Sequence, residues 1–237
     1  MGSEMCIRDS AISKLTGTGP VAILNGDLIS SVDVRSLLAH HQKTGAKATL
    51  SLWEVEDPSR FGVCDLDSSG MIRRFQEKPK RGTEFSKLIN AGCSILERDV
   101  LNSLPDGKFS MEREIFPGIA EAGNMSGLVF EGYFVDAGTP SSFIEAARVC
   151  IQNNRFSTGR REGGNWFGVG SVCNGKVENC SIGSEVIISQ GAKLSDSVIL
   201  DGATVGEGAN LESCIVGEGF EVLPRSTMVG QVVANSN

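Results

Sequence analysis

The chain has 237 residues, enough for one large domain or two modest ones, and its 40% hydrophobic content allows a sizeable buried core. A formal net charge of -7 without any Lys/Arg run argues against nucleic acid or an anionic membrane surface as the main partner; a phosphorylated small molecule, which one or two placed cations can hold, stays open. The longest apolar stretches fall far below the roughly 18 residues of a membrane helix, and seven scattered cysteines with no C-x-x-C pair suggest neither zinc nor a disulfide framework, so a reducing cytoplasm is expected.

Met1–Ser10 (MGSEMCIRDS) has no apolar signal core and no small-residue cleavage site, and it looks like translated adapter sequence; native sequence is expected from about Ala11. Thr16-Gly17-Thr18-Gly19 precedes a strand instead of following one, which favours a connecting turn over a dinucleotide loop. Val21–Leu24 reads as a buried strand stopping at Asn25-Gly26-Asp27. A helix follows, with Asp33 as N-cap, Val34, Leu37, Leu38 and His41 at helical spacing, and Gly45 as C-cap. Ala48–Val55 is a second strand, and Phe61–Leu66 and Met71–Gln76 flank the turn former Asp67-Ser68-Ser69-Gly70 as a hairpin.

Leu88–Leu96 has strand character, Arg98–Leu104 and Ser110–Ala122 read as short helices, and Gly127–Val135 is again strand-like. Thr139 as N-cap and Pro140 at the first helical position introduce a helix over Ser141–Asn153, with Phe143, Ile144, Ala147 and Ile151 on its apolar face. Strands alternating with helices point to an α/β sheet over residues 11–153. The polar, glycine-bearing stretch 154–165 reads as a linker. From Trp166 onward apolar residues recur at Ile182, Ile188, Leu194, Ile199, Val205, Leu211, Val216 and Val222, in steps of about six with slips of one. That period fits neither a 3.6-residue helix nor an alternating strand; it suits short strands joined by tight turns, a hexapeptide β-helix over 166–237.

Several residues carry candidate chemistry. Asp27 ends a strand, where ligands and metal-binding carboxylates gather in open α/β sheets; it reads either as such a carboxylate or as a solvated turn residue. Asp136 ends the strand-like Phe130–Val135 and either joins Asp27 on one hard cation or caps the following helix. Glu77-Lys78-Pro79 follows a strand: the ammonium of Lys78 can meet a phosphate and the Glu77 carboxylate can accept sugar hydroxyls, or the pair is an ordinary charged turn. Gly62 and Asn90-Ala91-Gly92 allow close approach of a sugar ring to the backbone, or mark bulges. His40 and His41 are the only histidines, and no Gly-x-Ser-x-Gly occurs, so Ser–His chemistry has weak support; His41 reads as a core or boundary residue.

Taken in order, LNGD (Leu24–Asp27), FGV (Phe61–Val63), FQEKP (Phe75–Pro79), INAGC (Ile89–Cys93), EREIFP (Glu112–Pro117) and DAGTP (Asp136–Pro140), followed by hexapeptide repeats, resemble the nucleotidyltransferases that activate sugar 1-phosphates, most nearly bacterial mannose-1-phosphate guanylyltransferases. The resemblance covers about Ala11 to the C-terminus. It implies a partial Rossmann-like nucleotidyltransferase domain followed by a left-handed parallel β-helix. It implies Mg²⁺ held by Asp27 and Asp136, Lys78 on the sugar phosphate, Glu77 on the sugar, and Gly62 and Asn90 lining its pocket. The implied substrates are a sugar 1-phosphate and a nucleoside triphosphate, mannose 1-phosphate and GTP before glucose 1-phosphate and another triphosphate; separately, an exposed end of a β-helix would favour self-association. The family's G-x-G-T-R-L-x-P loop, its following P-K segment and its L-G-T-x-G stretch do not occur in the 237 residues, so this chain is expected to show no transferase activity by itself. A non-catalytic scaffold subunit is the rival expectation; an acyltransferase is disfavoured because no histidine lies beyond Trp166.

Overall fold

The computed structural model describes residues 14–105, 107 and 109–235; the stretch expected to be foreign, Met1–Ser10, lies outside them. The chain divides into two units, Met1–Phe134 and Val135–Asn237. Among the described residues no helix is long and apolar enough to cross a bilayer, and Cys64, Cys93, Cys150, Cys173, Cys180 and Cys214 are free thiols.

The first unit is built on one mixed sheet. Strand β6 (Leu88–Leu96) runs through its centre, with β3 (Ala48–Glu54) antiparallel along one edge. Its other edge is shared: β1 (Val21–Leu24) pairs with the C-terminal half, and β4 (Gly62–Leu66) meets the N-terminal half at Val63↔Ile89. The hairpin partner β5 (Ile72–Glu77) closes one side, and β7 (Met125–Val129), parallel to β3, closes the other. The hairpin turn is held by Asp67, whose Oδ1 accepts from the Ser69 hydroxyl at 2.6 Å and from the Ser69 and Met71 amides at 2.8 and 3.0 Å; the Ser69 hydroxyl first, then the amides and the Arg73 guanidinium, keep its carboxyl well below the usual range.

Helix α1 (Val34–Thr44) begins where the Asp33 side chain accepts from the Arg35 amide and ends at left-handed Gly45, both as the capping residues predict. It buries Leu37 and His41. The His41 ring is 1% exposed and satisfied on both nitrogens, by Thr49 Oγ1 at 2.7 Å and Glu97 Oε1 at 3.2 Å, which makes it a core residue. Strand β1, expected to be buried, is half to fully exposed along its length; among the described strands it pairs only with β6, and none of them lies along its other edge. Helix α2 (Arg98–Asn102) is short.

The run read as one helix over Ser110–Ala122 is instead a π turn (Met111–Ile115) leading into helix α3 (Phe116–Glu121). Pro117 has no N–H to give to residue 113, so the ladder widens and the Phe116 amide donates back to the Met111 carbonyl. Gly127–Val135 likewise splits into β7, a connection through Gly132 at φ 117°, and β8 (Phe134–Asp136), which runs across the division between the units.

In the second unit, helix α4 (Pro140–Gln152) has a reciprocal capping box between Thr139 and Ser142. Its buried residues are Ile144, Ala146, Val149 and Ile151, whereas Phe143, placed on the apolar face from spacing, is 39% exposed. Ile144 packs on Val198 and Ile215, which groups the helix with the repeats that follow. Within the stretch read as a linker, β9 (Arg160–Glu162) pairs antiparallel with β10 (Asn165–Phe167), and Phe156 stacks on Trp166 at 4.6 Å.

The repeats form a parallel β-helix of three faces. One contains β10, β13 (Ser181–Ile182), β16 (Val198–Ile199), β19 (Ile215–Val216) and β22 (Val232–Val233). The second contains β11 (Val172–Cys173), β14 (Ile187–Ile188), β17 (Thr204–Val205) and β20 (Glu221–Val222). The third contains β12 (Lys176–Glu178), β15 (Lys193–Ser195), β18 (Asn210–Glu212) and β21 (Thr227–Val229). From Ile182 onward, register partners stand seventeen residues apart, as in Ile182↔Ile199 and Leu194↔Leu211. The slips of one in the apolar period arise at the tightest corner, where Asn179, Asp196, Ser213 and Gly230 each turn the chain in the left-handed region. All eight apolar residues named from the period are buried, none more than 3% exposed.

Candidate functional site

The hairpin of β4 and β5 ends with Gly62 directly opposite Glu77. A Cβ on Gly62 would overlap the Phe75 ring and stand 3.1 Å from Glu77 Oε2, so only glycine leaves Glu77 room to lie along the strand pair. Pairing stops one residue later: the Lys78 amide donates to the Phe61 carbonyl at 2.9 Å, and Lys78 takes φ 45°. A left-handed lysine costs about 1–2 kcal/mol, and Pro79, buried, keeps the exit path fixed. The result is a covered carboxylate beside an exposed ammonium: the Glu77 side chain is 13% exposed, Lys78 is 59% exposed, and Nζ stands 3.6 Å from Oε1. Burial pushes the Glu77 carboxyl above its ordinary range, with Lys78 opposing.

Asn90 lies on the same sheet. Opposite Ser51, the register of β3 on β6 slips between Leu50↔Ser94 and Leu52↔Asn90, a bulge centred on Ala91-Gly92. Gly92 takes φ 70°, its amide donates to Asn90 Oδ1 at 3.1 Å, and a Cβ there would run into Leu28. Of the two local alternatives for this segment, the bulge is what the register shows. Asn90 Nδ2 donates to no described residue.

The bulge also seats the first aspartate. The Asn25 amide donates to the Gly92 carbonyl at 2.9 Å, which brings the Asn25-Gly26-Asp27 turn against the Asn90-Ala91-Gly92 turn. Asp27 is exposed, and its carboxylate has no hydrogen bond or ion pair to a described residue. Asp136 belongs to the second unit. It is half-buried; Oδ1 accepts from the Gly138 amide at 3.0 Å, while Oδ2 has no described partner. The local cap alternative is not what occurs, because the N-cap of α4 is Thr139. Each carboxylate thus keeps oxygens uncommitted, as a hard cation requires. Among the described residues no group of three or more His, Cys, Asp or Glu side chains forms a metal cluster.

Sequence reasoning assigned no role to the EREIFP segment, although its pattern was visible. Phe116 packs edge-on against Phe75 at 5.5 Å, and this contact carries the π turn onto strand β5. Glu112 and Arg113 thereby act electrostatically on Glu77, one raising and one lowering its proton affinity. An aromatic group also lies beside Phe61: Phe134 stands 6.1 Å from Phe61 and 6.3 Å from Trp53, and Trp53 stands 5.0 Å from Phe130.

A family model described as nucleotidyl transferase matches residues 5–153, and one described as GlmU-like, C-terminal hexapeptide, matches residues 166–235. The chain is similar to a probable mannose-1-phosphate guanylyltransferase 3 of Oryza sativa subsp. japonica, 33% identical over 190 residues, covering 77% of this chain and 52% of the relative. It is similar to mannose-1-phosphate guanylyltransferase 1 of Arabidopsis thaliana, 31% identical over 190 residues, covering 78% and 52%. A mannose-1-phosphate guanylyltransferase of Mycobacterium tuberculosis is 36% identical over 128 residues, covering 53% and 35%. The chain spans about half the length of the two plant relatives.

Proposed function

Because this chain belongs to the nucleotidyl transferase family, we propose that its first unit binds a sugar 1-phosphate, mannose 1-phosphate in particular, as the acceptor of a nucleotidyl group from GTP. The observation that carries this is the hairpin end, where Gly62, Glu77 and Lys78 present an open backbone, a hydroxyl acceptor and a phosphate-binding cation side by side. The names of the relatives support mannose over glucose as the sugar.

In the proposed reaction an oxygen of the sugar phosphate attacks the α-phosphorus of the triphosphate. The bond from that phosphorus to the oxygen bridging to the β-phosphate breaks, and pyrophosphate leaves with the electron pair. Lys78 would hold the attacking phosphate as a point charge, and Glu77 and Asn90 would fix the ring through its hydroxyls, so the protein's contribution is position and electrostatics. Asp27 in the first unit and Asp136 in the second each offer uncommitted oxygens to Mg²⁺, which would supply charge neutralisation to phosphate oxygens.

Calorimetric titration of the 237-residue chain with mannose 1-phosphate tests this directly. Lys78→Met removes the charge while keeping an unbranched side chain in the same backbone conformation. It is expected to weaken binding about 10- to 100-fold, the equivalent of about 1.5–3 kcal/mol for a charged hydrogen bond. Absence of binding by the unmodified chain, or an affinity indifferent to Lys78→Met, would overturn the proposal.

A further inference from the structure

Asparagine followed by glycine occurs twice in the chain, at Asn25-Gly26 and at Asn174-Gly175, and the fold treats the two pairs in opposite ways. In any such pair the backbone nitrogen of the glycine can attack the side-chain Cγ of the asparagine, provided the chain can turn until the two atoms meet; a glycine offers no Cβ to obstruct the approach. Asn25 and Gly26 are both exposed, on the turn that leaves β1. The Asn25 amide donates to the Gly92 carbonyl at 2.9 Å, but the Asn25 carboxamide makes no hydrogen bond to a described residue. It only lies against the bare Cα of Gly92, with Nδ2 3.1 Å from where a Cβ would stand. The Gly26 N–H likewise donates to no described group, and a Cβ placed on Gly26 would meet nothing within 4 Å. Gly175, in contrast, is wedged between coils: a Cβ there would stand 2.6 Å from the Ala192 carbonyl oxygen and 2.9 Å from Ile188 Cγ2. On either side of it the Asn174 and Lys176 amides donate to the Ile188 and Ala192 carbonyls of the next coil, both at 2.8 Å, so the peptide units that would have to rotate are fixed.

We infer that Asn25 is a site of spontaneous deamidation, which leaves an aspartate or isoaspartate at position 25, two residues before Asp27. The Gly26 nitrogen forms a bond to Asn25 Cγ and gives its proton to solvent base. The Cγ–Nδ2 bond breaks, and Nδ2 takes up a proton and leaves as ammonia, closing a succinimide ring. Water then opens the ring. Cleavage between the ring nitrogen and Cγ gives aspartate; cleavage at the former backbone carbonyl gives isoaspartate, whose main chain runs through Cβ and is one methylene longer. Either product adds one negative charge to a chain whose net charge is -7, and places it on the Asn25-Gly26-Asp27 turn. Isoaspartate also lengthens the stretch between the amide anchored on Gly92 and Asp27, which displaces the Asp27 carboxylate. The reaction itself does not depend on the sugar-phosphate reading; only its bearing on a cation at Asp27 does.

The 237-residue chain is incubated in mildly alkaline buffer, then digested at mildly acid pH, where cyclisation is slow, and its peptides are followed by mass spectrometry. The peptide holding Asn25 is expected to gain one dalton and to separate into aspartyl and isoaspartyl forms. Its conversion should run at least about tenfold faster than that of the peptide holding Asn174, a ratio that a restraint of only about 1.4 kcal/mol on reaching the attack geometry produces. Gly26 does not take a left-handed φ and borders open space, so Gly26→Ala should fold unchanged while its Cβ slows conversion at Asn25. In urea, Asn174 should convert as fast as Asn25, because the coil no longer holds it. Asn25 left intact in the folded chain over a time in which the unfolded chain converts it fully, folded Asn174 converting as fast as Asn25, or an Asn174 rate unchanged by urea would each overturn the inference. Mannose 1-phosphate is absent throughout, so the outcome is independent of whether the chain binds that ligand.

Discussion

Supplied with GTP, mannose 1-phosphate and Mg²⁺, the 237-residue chain is expected to release no measurable pyrophosphate while still binding the sugar phosphate. Backbone N–H groups of a glycine-rich loop and a following cation are what cradle and neutralise a triphosphate, and no G-x-G-T-R-L-x-P stretch occurs in this sequence. Loss of a single preorganised donor at a developing charge costs on the order of 10²–10³ in rate; loss of several places turnover below detection. A coupled pyrophosphate assay that reports turnover by the pure chain would sink the expectation. A longer protein that carries such a segment together with these residues should release pyrophosphate. In that longer protein Asp27→Asn and Asp136→Asn should each lower it on the order of 10²–10³-fold, since each exchanges an anionic carboxylate for a neutral amide. Full turnover by either variant would remove that aspartate from the metal assignment.

Leu211→Ala is expected to destabilise the β-helix by about 3–5 kcal/mol. Leu211 is 1% exposed and lies in register between Leu194 and Met228 on one interior face, so truncation leaves a void bounded by the coils on both sides. The coils contact only their neighbours and form a one-dimensional stack, in which a weak middle layer uncouples the layers on either side. Amide hydrogen exchange should therefore accelerate across β14 to β22 while the amides of β3 and β6 keep their protection. Asn210→Ala, on the exposed outer face of the same strand, should stay within about 0.5 kcal/mol. Equal effects of the two substitutions would mean that the interior ladder is not what holds the coils together.

The distinction between these two experiments follows how each part of the molecule is encoded. A β-helix interior is filled by residues that recur at fixed spacing, so Ile182, Ile188 and Leu194 and their successors announce the architecture without any long-range information. Capping is equally local: Asp33, Gly45 and Thr139 mark helix ends because the groups they satisfy lie within four residues. The strand end at Asp27 and the hairpin carrying Glu77 and Lys78 were legible for the same reason.

Other features depend on partners distant in the chain. Strand β1 has an apolar sequence but an exposed position, because burial depends on what lies beside a strand and not on its composition. Phe143 lies at the right spacing but faces outward, since the face of α4 that is buried was decided by Val198 and Ile215, more than fifty residues on. The requirement for glycine at position 62 comes from the Phe75 ring across the hairpin, and the influence of Glu112 on Glu77 comes from a π turn anchored by Phe116. The amino-acid order alone determined the elements, their caps and the repeating core, because periodicity and hydrogen-bond satisfaction act over a few residues. Only the tertiary structure decided which charges surround Glu77 and which apolar faces are covered, because Coulomb interaction and burial depend on distance in space.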